Sequence, residues 1–196
     1  MAFIENLSII IYQVLALALI GAFLFTTVEL SKGESSWKRL VKQWLREFQK
    51  NGVFRCRFFL MVSAFGILGI TLLTRRIWYT PWSNVVGNFA LIAPNGKLDE
   101  DICNNIFLFI PFGGFLFASG IKKNDSFVGR EHKLRLWRVL VCASVVSAGL
   151  SLGIELCQSV FWLGTFQLAD IFYNTIGGVI GGFLYYTGKI LRRRDS

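Results

Sequence analysis

Charge is scarce in this sequence. Charged residues fill 17% of 196 positions, where a soluble globular domain carries about 25%. Histidine occurs once, at His132, which leaves no catalytic triad and no histidine-built metal centre. The four cysteines, Cys56, Cys103, Cys142 and Cys157, form neither a CxxC nor a zinc spacing; they are expected to act as small apolar packing residues. No lysine or arginine precedes the first apolar run. A cleaved signal peptide wants a positive start, so this run is expected to be a retained helix.

Apolar residues are in excess. Hydrophobic residues make up 54% of the chain, aromatics 15%, and the mean hydropathy is +0.52. These values argue against disorder, a soluble enzyme and a disulfide-built secreted module. The net charge of +9 falls in blocks between the apolar runs, a pattern of membrane topology rather than of nucleic-acid binding.

Five runs are long enough to cross a hydrocarbon core of about 30 Å, which takes roughly 17–25 residues. They are Ser8–Val28, Phe58–Thr74, Ile102–Ile121, Val139–Leu163 and Leu168–Leu191. The second is the shortest and is expected to rely on Arg57 and Arg75 reaching out to the interfaces. Lysine and arginine number eight, three, six and none in the successive segments after the first four runs, and four at the tail from Lys189 onward. Alternate segments thus hold 18 against 3. The positive-inside rule then places the N-terminus outside and the C-terminus in the cytoplasm, across five spans. The fold class expected is an all-α integral membrane protein. Residues 1–57 hold the first span and a cytoplasmic amphipathic segment, 58–191 a four-helix membrane domain, and 192–196 a basic tail.

Trp37, Leu40, Val41, Trp44, Leu45 and Phe48 share one helical face, with Lys38, Arg39, Lys42, Arg46 and Lys50 opposite. This predicts a basic amphipathic helix lying among inner-leaflet headgroups and drawn to anionic lipid. The competing reading packs it onto the cytoplasmic ends of the spans. The outer segment Arg75–Asp101 differs. Trp78, Tyr79 and Trp82 read as interfacial aromatics, Pro81, Pro94, Asn95 and Gly96 as turn residues, and Val85–Ala93 as a surface or re-entrant piece. Asp99, Glu100 and Asp101 suit the start of a helix through its macrodipole.

The informative residues are polar ones inside apolar runs. Ser144, Ser147, Ser151, Glu155 and Gln158 form one stripe along the fourth span. A carboxyl inside such a run costs about 2.5–3.5 kcal/mol on insertion scales and is usually buried, paired and functional. Asp170 and Asn174 share a face at the start of the fifth span, with Thr175 beside them, and Asn104 and Asn105 open the third. Charge counting puts Asn105, Glu155, Gln158, Asp170 and Asn174 all in the outer half of the membrane, which suggests a polar ligand-binding pocket there. Gly177, Gly178, Gly181 and Gly182 form two overlapping GxxxG registers for close helix packing, within the chain or with another subunit. Pro111, followed by Gly113 and Gly114, predicts a kink with freed carbonyls in the third span.

At these residues the sequence resembles the VanZ-like family of small bacterial membrane proteins. Asn105-Ile-Phe-Leu-Phe-Ile-Pro111-Phe-Gly113 is similar to the family's N-x-x-x-F-x-P-x-G signature. Ser151-x-x-x-Glu155-x-x-Gln158, followed by Asp170-x-x-x-Asn174-Thr175-x-Gly177-Gly178, is the second matching block. The resemblance covers roughly Phe58–Leu191. It departs from the family in the Gly164–Ala169 loop, where family members often carry an arginine and an acid, and at Asn84-Val85-Val86-Gly87, where the family tends toward Asn-Leu-Ile-Pro-Phe. The resemblance implies a cell-envelope role, and for the family's namesake a link to low-level resistance to the glycopeptide teicoplanin.

Three functions follow as expectations. The first is binding of a lipid-linked envelope precursor, a glycopeptide or another amphiphile through Asn105, Glu155, Gln158, Asp170 and Asn174. The carboxylates would hold a cationic group or a divalent ion, with oxygen-only ligands suiting Mg²⁺ or Ca²⁺. The second is an intramembrane enzyme on a lipid headgroup, in which Glu155 and Asp170 divide the catalytic acid and base roles. The third is a scaffold or transport subunit that oligomerises through the glycine-rich last helix.

Overall fold

The computed structural model describes residues 2–31, 36–75, 77–93, 96–120 and 132–194. Arg76, Pro94, Asn95 and the basic residues Lys32, Lys122, Lys123 and Arg130 lie outside them. Six α-helices carry the fold: α1 (Ala2–Ser31), α2 (Trp37–Lys50), α3 (Gly52–Leu68), α4 (Glu100–Ala118), α5 (His132–Val160) and α6 (Leu168–Arg194). A π-helical turn, Gly69–Leu73, continues α3. Among the described residues there is no strand, only an isolated bridge between Ile92 and Leu98.

Four of these helices are long and apolar enough to cross a membrane, at Val14–Ser31, Gly52–Leu73, Glu100–Ala118 and Leu136–Val160. The fifth expected span corresponds to α6. That helix is long enough, but Asn174, Tyr185, Tyr186 and its glycines dilute its hydropathy. Large apolar side chains such as Val28, Phe107 and Val145 stand on the outside of the bundle, the arrangement expected where the surrounding solvent is hydrocarbon rather than water.

Packing follows the small residues. α4 and α6 meet backbone to backbone: a methyl group on Gly177 would strike Ile106 O, one on Gly181 would strike Ile110 O, and one on Gly113 would strike Gly178 O. On its other side α6 meets α5, where Gly178 lies against Ser147 and Gly182 against Ala143. Gly177, Gly178, Gly181 and Gly182 thus face helices of the same chain, while Gly188 has nothing within 4 Å of an added methyl group. α4 stays helical through Pro111, whose side is exposed. The carbonyls that approach α6 belong to Ile106 and Ile110. The hydrophobic core of Leu60, Ile67, Phe109, Phe112 and Ile154 ties α3 to α4 and α5. α1 joins this bundle through α3, with Val14 against Gly69 and Phe65 against Gly21.

The amphipathic helix α2 packs onto α1 and α3, the competing arrangement of the two weighed for it. Leu40 and Trp44 are buried, and Trp44 Nε1 donates to Thr26 Oγ1 of α1 at 2.9 Å. Phe48 stacks on Trp44, and Phe54 and Phe58 of α3 meet the indole edge-on. Trp37 and Leu45 of the same face remain exposed, as do Lys38, Lys42, Arg46 and Lys50 opposite. The helix is docked by the middle of its apolar stripe and presents the margins outward. The four cysteines are free and partly buried.

Candidate functional site

The helix ends set the site. α5 stops at Val160, and Trp162 takes a left-handed backbone with φ +58°. Glu155 therefore lies five residues from the end of α5, nearer the bundle's end than the apolar run through Leu163 implied. The chain turns back through Gly164–Gln167 and re-enters as α6, with Asp170 in its first turn, where an acidic side chain suits the helix dipole. Asp99 caps α4 by accepting from Asp101 N and Ile102 N, which carries Asn105 round to face α6.

Three expected residues converge. Asn105 Nδ2 donates to Asp170 Oδ1 at 2.8 Å, joining α4 to α6. Glu155 and Asp170 are close enough to influence each other electrostatically. Glu155 is 2% exposed, and its Oε2 accepts from the backbone N–H of Gln167 at 2.7 Å. Arg75, just beyond the π-helical turn, is close enough to act electrostatically on both carboxyl groups.

Two expected residues are engaged elsewhere. Asn174 lies one turn deeper along α6, where its Nδ2 donates to Ser151 Oγ at 2.8 Å. Gln158 Nε2 donates to Thr71 O at 2.8 Å and fastens α5 to the π-helical turn. Ser147 Oγ and Asn174 Oδ1 are buried without a hydrogen-bond partner among the described residues. The serine stripe is therefore partly helix packing, as at Ser151, and partly unsatisfied, as at Ser147.

The segment 77–93 covers this end of the bundle. Trp78 N donates to Trp162 O, Leu168 N to Val85 O, Ala169 N to Val86 O and Tyr173 Oη to Phe89 O. Gly87 has φ +74°, and a side chain there would meet Ala169 and Gln167. Trp78, Tyr79 and Trp82 are exposed, consistent with interfacial aromatics, while Tyr79 also meets Trp162 edge-on and Trp82 stacks on Phe166 of the α5–α6 turn. The span 85–93 is thus irregular backbone strapped across the start of α6.

Arg75 is the residue that sequence reasoning missed as part of the cluster. It read as an interfacial anchor of a short span. The available signal was its position at the same end of the bundle as Glu155. The Gly164–Ala169 loop supplies no guanidinium here; the one that acts on the carboxyl groups, Arg75, lies just beyond the π-helical turn. No group of three or more metal-ligating side chains occurs among the described residues, so Glu155 and Asp170 form a pair, with an amide and a guanidinium as neighbours.

The two blocks that carried the resemblance, around Asn105–Gly113 and Ser151–Gly178, thus meet in space at the α4–α6–α5 contact. No curated protein and no solved structure matches the chain. A family comparison matches residues 9–192, which takes in α1 and α2 as well as the four later helices. On that near-complete match, this membrane protein belongs to the VanZ/LLP1 family.

Proposed function

We propose that this protein serves the bacterial cell envelope by binding a lipid-linked or amphiphilic ligand at the outer face of the cytoplasmic membrane. In this reading α6 is a fifth span, the N-terminus lies outside and the C-terminus inside. The alternation of basic residues between successive loops supports that orientation. Low hydropathy is tolerable in α6 because its polar and glycine positions face α4 and α5.

One observation carries the ligand reading. Two carboxyl groups from different helices act on each other, within the electrostatic reach of a guanidinium, at one end of a membrane bundle, beside an irregular strap that carries exposed aromatic residues. Structural glue alone would be met by amides and hydroxyls at lower cost. Asn105, Glu155, Asp170 and Arg75 together offer donors and acceptors for a polar headgroup, while Trp78, Tyr79 and Trp82 suit its apolar chain. A cationic group or a divalent ion such as Mg²⁺ or Ca²⁺ on the ligand would engage the carboxylates. Altered susceptibility to teicoplanin is the expected consequence in a cell.

The test is native mass spectrometry of the detergent-purified protein beside the double variant Glu155→Gln, Asp170→Asn. A lipid or ion retained by the wild type and lost from the folded variant supports the reading. Equal retention, with unchanged teicoplanin susceptibility, refutes it. Because the two carboxyl groups are mutual neighbours, an acid–base role on a lipid headgroup is the second reading. Turnover of a lipid lost in each single variant would favour that one.

A further inference from the structure

A cavity of about 350 Å³ lies at the other end of the bundle, where α1, α2 and α3 meet. Its polar wall includes Glu29 of α1, Gln43 and Glu47 of α2, and Arg57 of α3, and its apolar wall includes Val53 and Phe54. Each acid has one oxygen engaged: Arg57 Nη1 donates to Glu29 Oε1 at 2.5 Å, and Asn51 Nδ2 donates to Glu47 Oε2 at 3.1 Å. Arg57 Nε is also committed, to Ser119 O at the end of α4. The remaining carboxylate oxygens and the Gln43 amide oxygen are acceptors.

Two carboxylates against one guanidinium make the cavity a cation-favouring spot in a chain of net charge +9. Beyond the lining, the part of α2 that rims the cavity carries exposed basic residues. Gln43, Glu47 and Lys50 follow at i, i+4 and i+7 and so share a face of α2, with Arg46 alongside. Lys42, Arg46 and Lys50 are exposed. A primary ammonium brings three N–H donors, matching the three acceptors, and a phosphate a few bonds away would meet the basic rim. The location, at the ends of apolar helices and beneath an amphipathic helix, is headgroup depth in a bilayer.

We propose that this cavity binds the ammonium end of an aminophospholipid headgroup, with the lipid phosphate on the basic edge of α2. The contacts fit an ethanolamine phosphate diester. They do not fit a choline headgroup, which has no N–H to donate, nor a glycerol headgroup, which has no positive charge. The carboxyl cluster of α5 and α6 is at the other end of the bundle, so the two readings stand or fail separately.

The experiment is native mass spectrometry of the full chain in detergent, titrated with short-chain phosphatidylethanolamine, phosphatidylcholine and phosphatidylglycerol of one acyl length, and with free ethanolamine. The ethanolamine lipid is expected to be retained at concentrations roughly tenfold below the other two, the scale of one hydrogen bond to a charged group. Glu47→Gln is expected to remove that preference, and Gln43→Ala to reduce it. Gln43→Ala decides alone if Glu47→Gln does not fold. Equal retention of the three lipids, or a preference unchanged in the folded variants, overturns the proposal. Free ethanolamine bound as tightly as the lipid overturns the assignment to a phospholipid.

Discussion

Asn105 Nδ2 and Asp170 Oδ1 lie 2.8 Å apart and link the first turns of α4 to the start of α6. Between these helices the backbones are too close for side chains at Gly113, Gly177 or Gly181. The polar pair therefore sits at the mouth of a seam otherwise closed by glycine. Asn105→Ala leaves the Asp170 oxygen without its donor, and the expected cost is about 1–3 kcal/mol. Thermal unfolding in detergent measures it. A variant as stable as the wild type would show that the bond contributes nothing to the seam.

Glu155 holds the reverse turn that starts α6. Its Oε2 accepts from Gln167 N, and an amide oxygen can do the same. Glu155→Gln is expected to fold with stability within about 1 kcal/mol of the wild type, whereas Glu155→Ala strands the Gln167 N–H and loses about 1–3 kcal/mol. Comparable losses in the two variants would mean that the charge of the carboxyl group matters more than the turn.

Gly178 is pinned from two sides, by Gly113 of α4 and by Ser147 of α5. Gly178→Ala forces a methyl group into the Ser147 hydroxyl, and overpacking of this kind costs about 1–3 kcal/mol. Ser147→Gly removes that obstacle and should recover part of the loss in a double-mutant cycle. Gly66 and Gly149 have nothing within 4 Å of an added methyl group. Alanine there is expected to be neutral or to stabilise by up to about 1 kcal/mol, since a helix favours alanine over glycine.

Trp44 anchors α2. Trp44→Phe keeps an aromatic ring among Phe48, Phe54 and Phe58 but loses the donor to Thr26 Oγ1. The expected cost is about 0.5–1.5 kcal/mol. Trp44→Ala empties the site and should cost about 3–5 kcal/mol. Increased protease cleavage between α1 and α3 in the alanine variant, and not in the phenylalanine one, would report undocking of α2.

The membrane character and the helical pattern were legible in the residues because both are local properties. A run such as Phe58–Thr74 is apolar whatever surrounds it, and the six apolar positions from Trp37 to Phe48 share a face once they are helical. The same locality explains the misjudged ends. Hydropathy carries the fourth run to Leu163, yet the helix stops at Val160 because the backbone at Trp162 turns left-handed, which no apolar count can register.

Composition, helix count and the polar stripe of α5 were thus settled by the order of residues along the chain. The company each polar residue keeps was decided by the tertiary fold. Asn105 and Asp170 are 65 positions apart, and only the glycine seam between α4 and α6 brings them together. Gln158, grouped with them by its spacing on α5, instead reaches Thr71 O, because the π-helical turn of α3 packs on that side. Arg75 acts on the carboxyl groups for the same reason: charge acts through space, and Glu155 and Asp170 come from two other stretches of sequence.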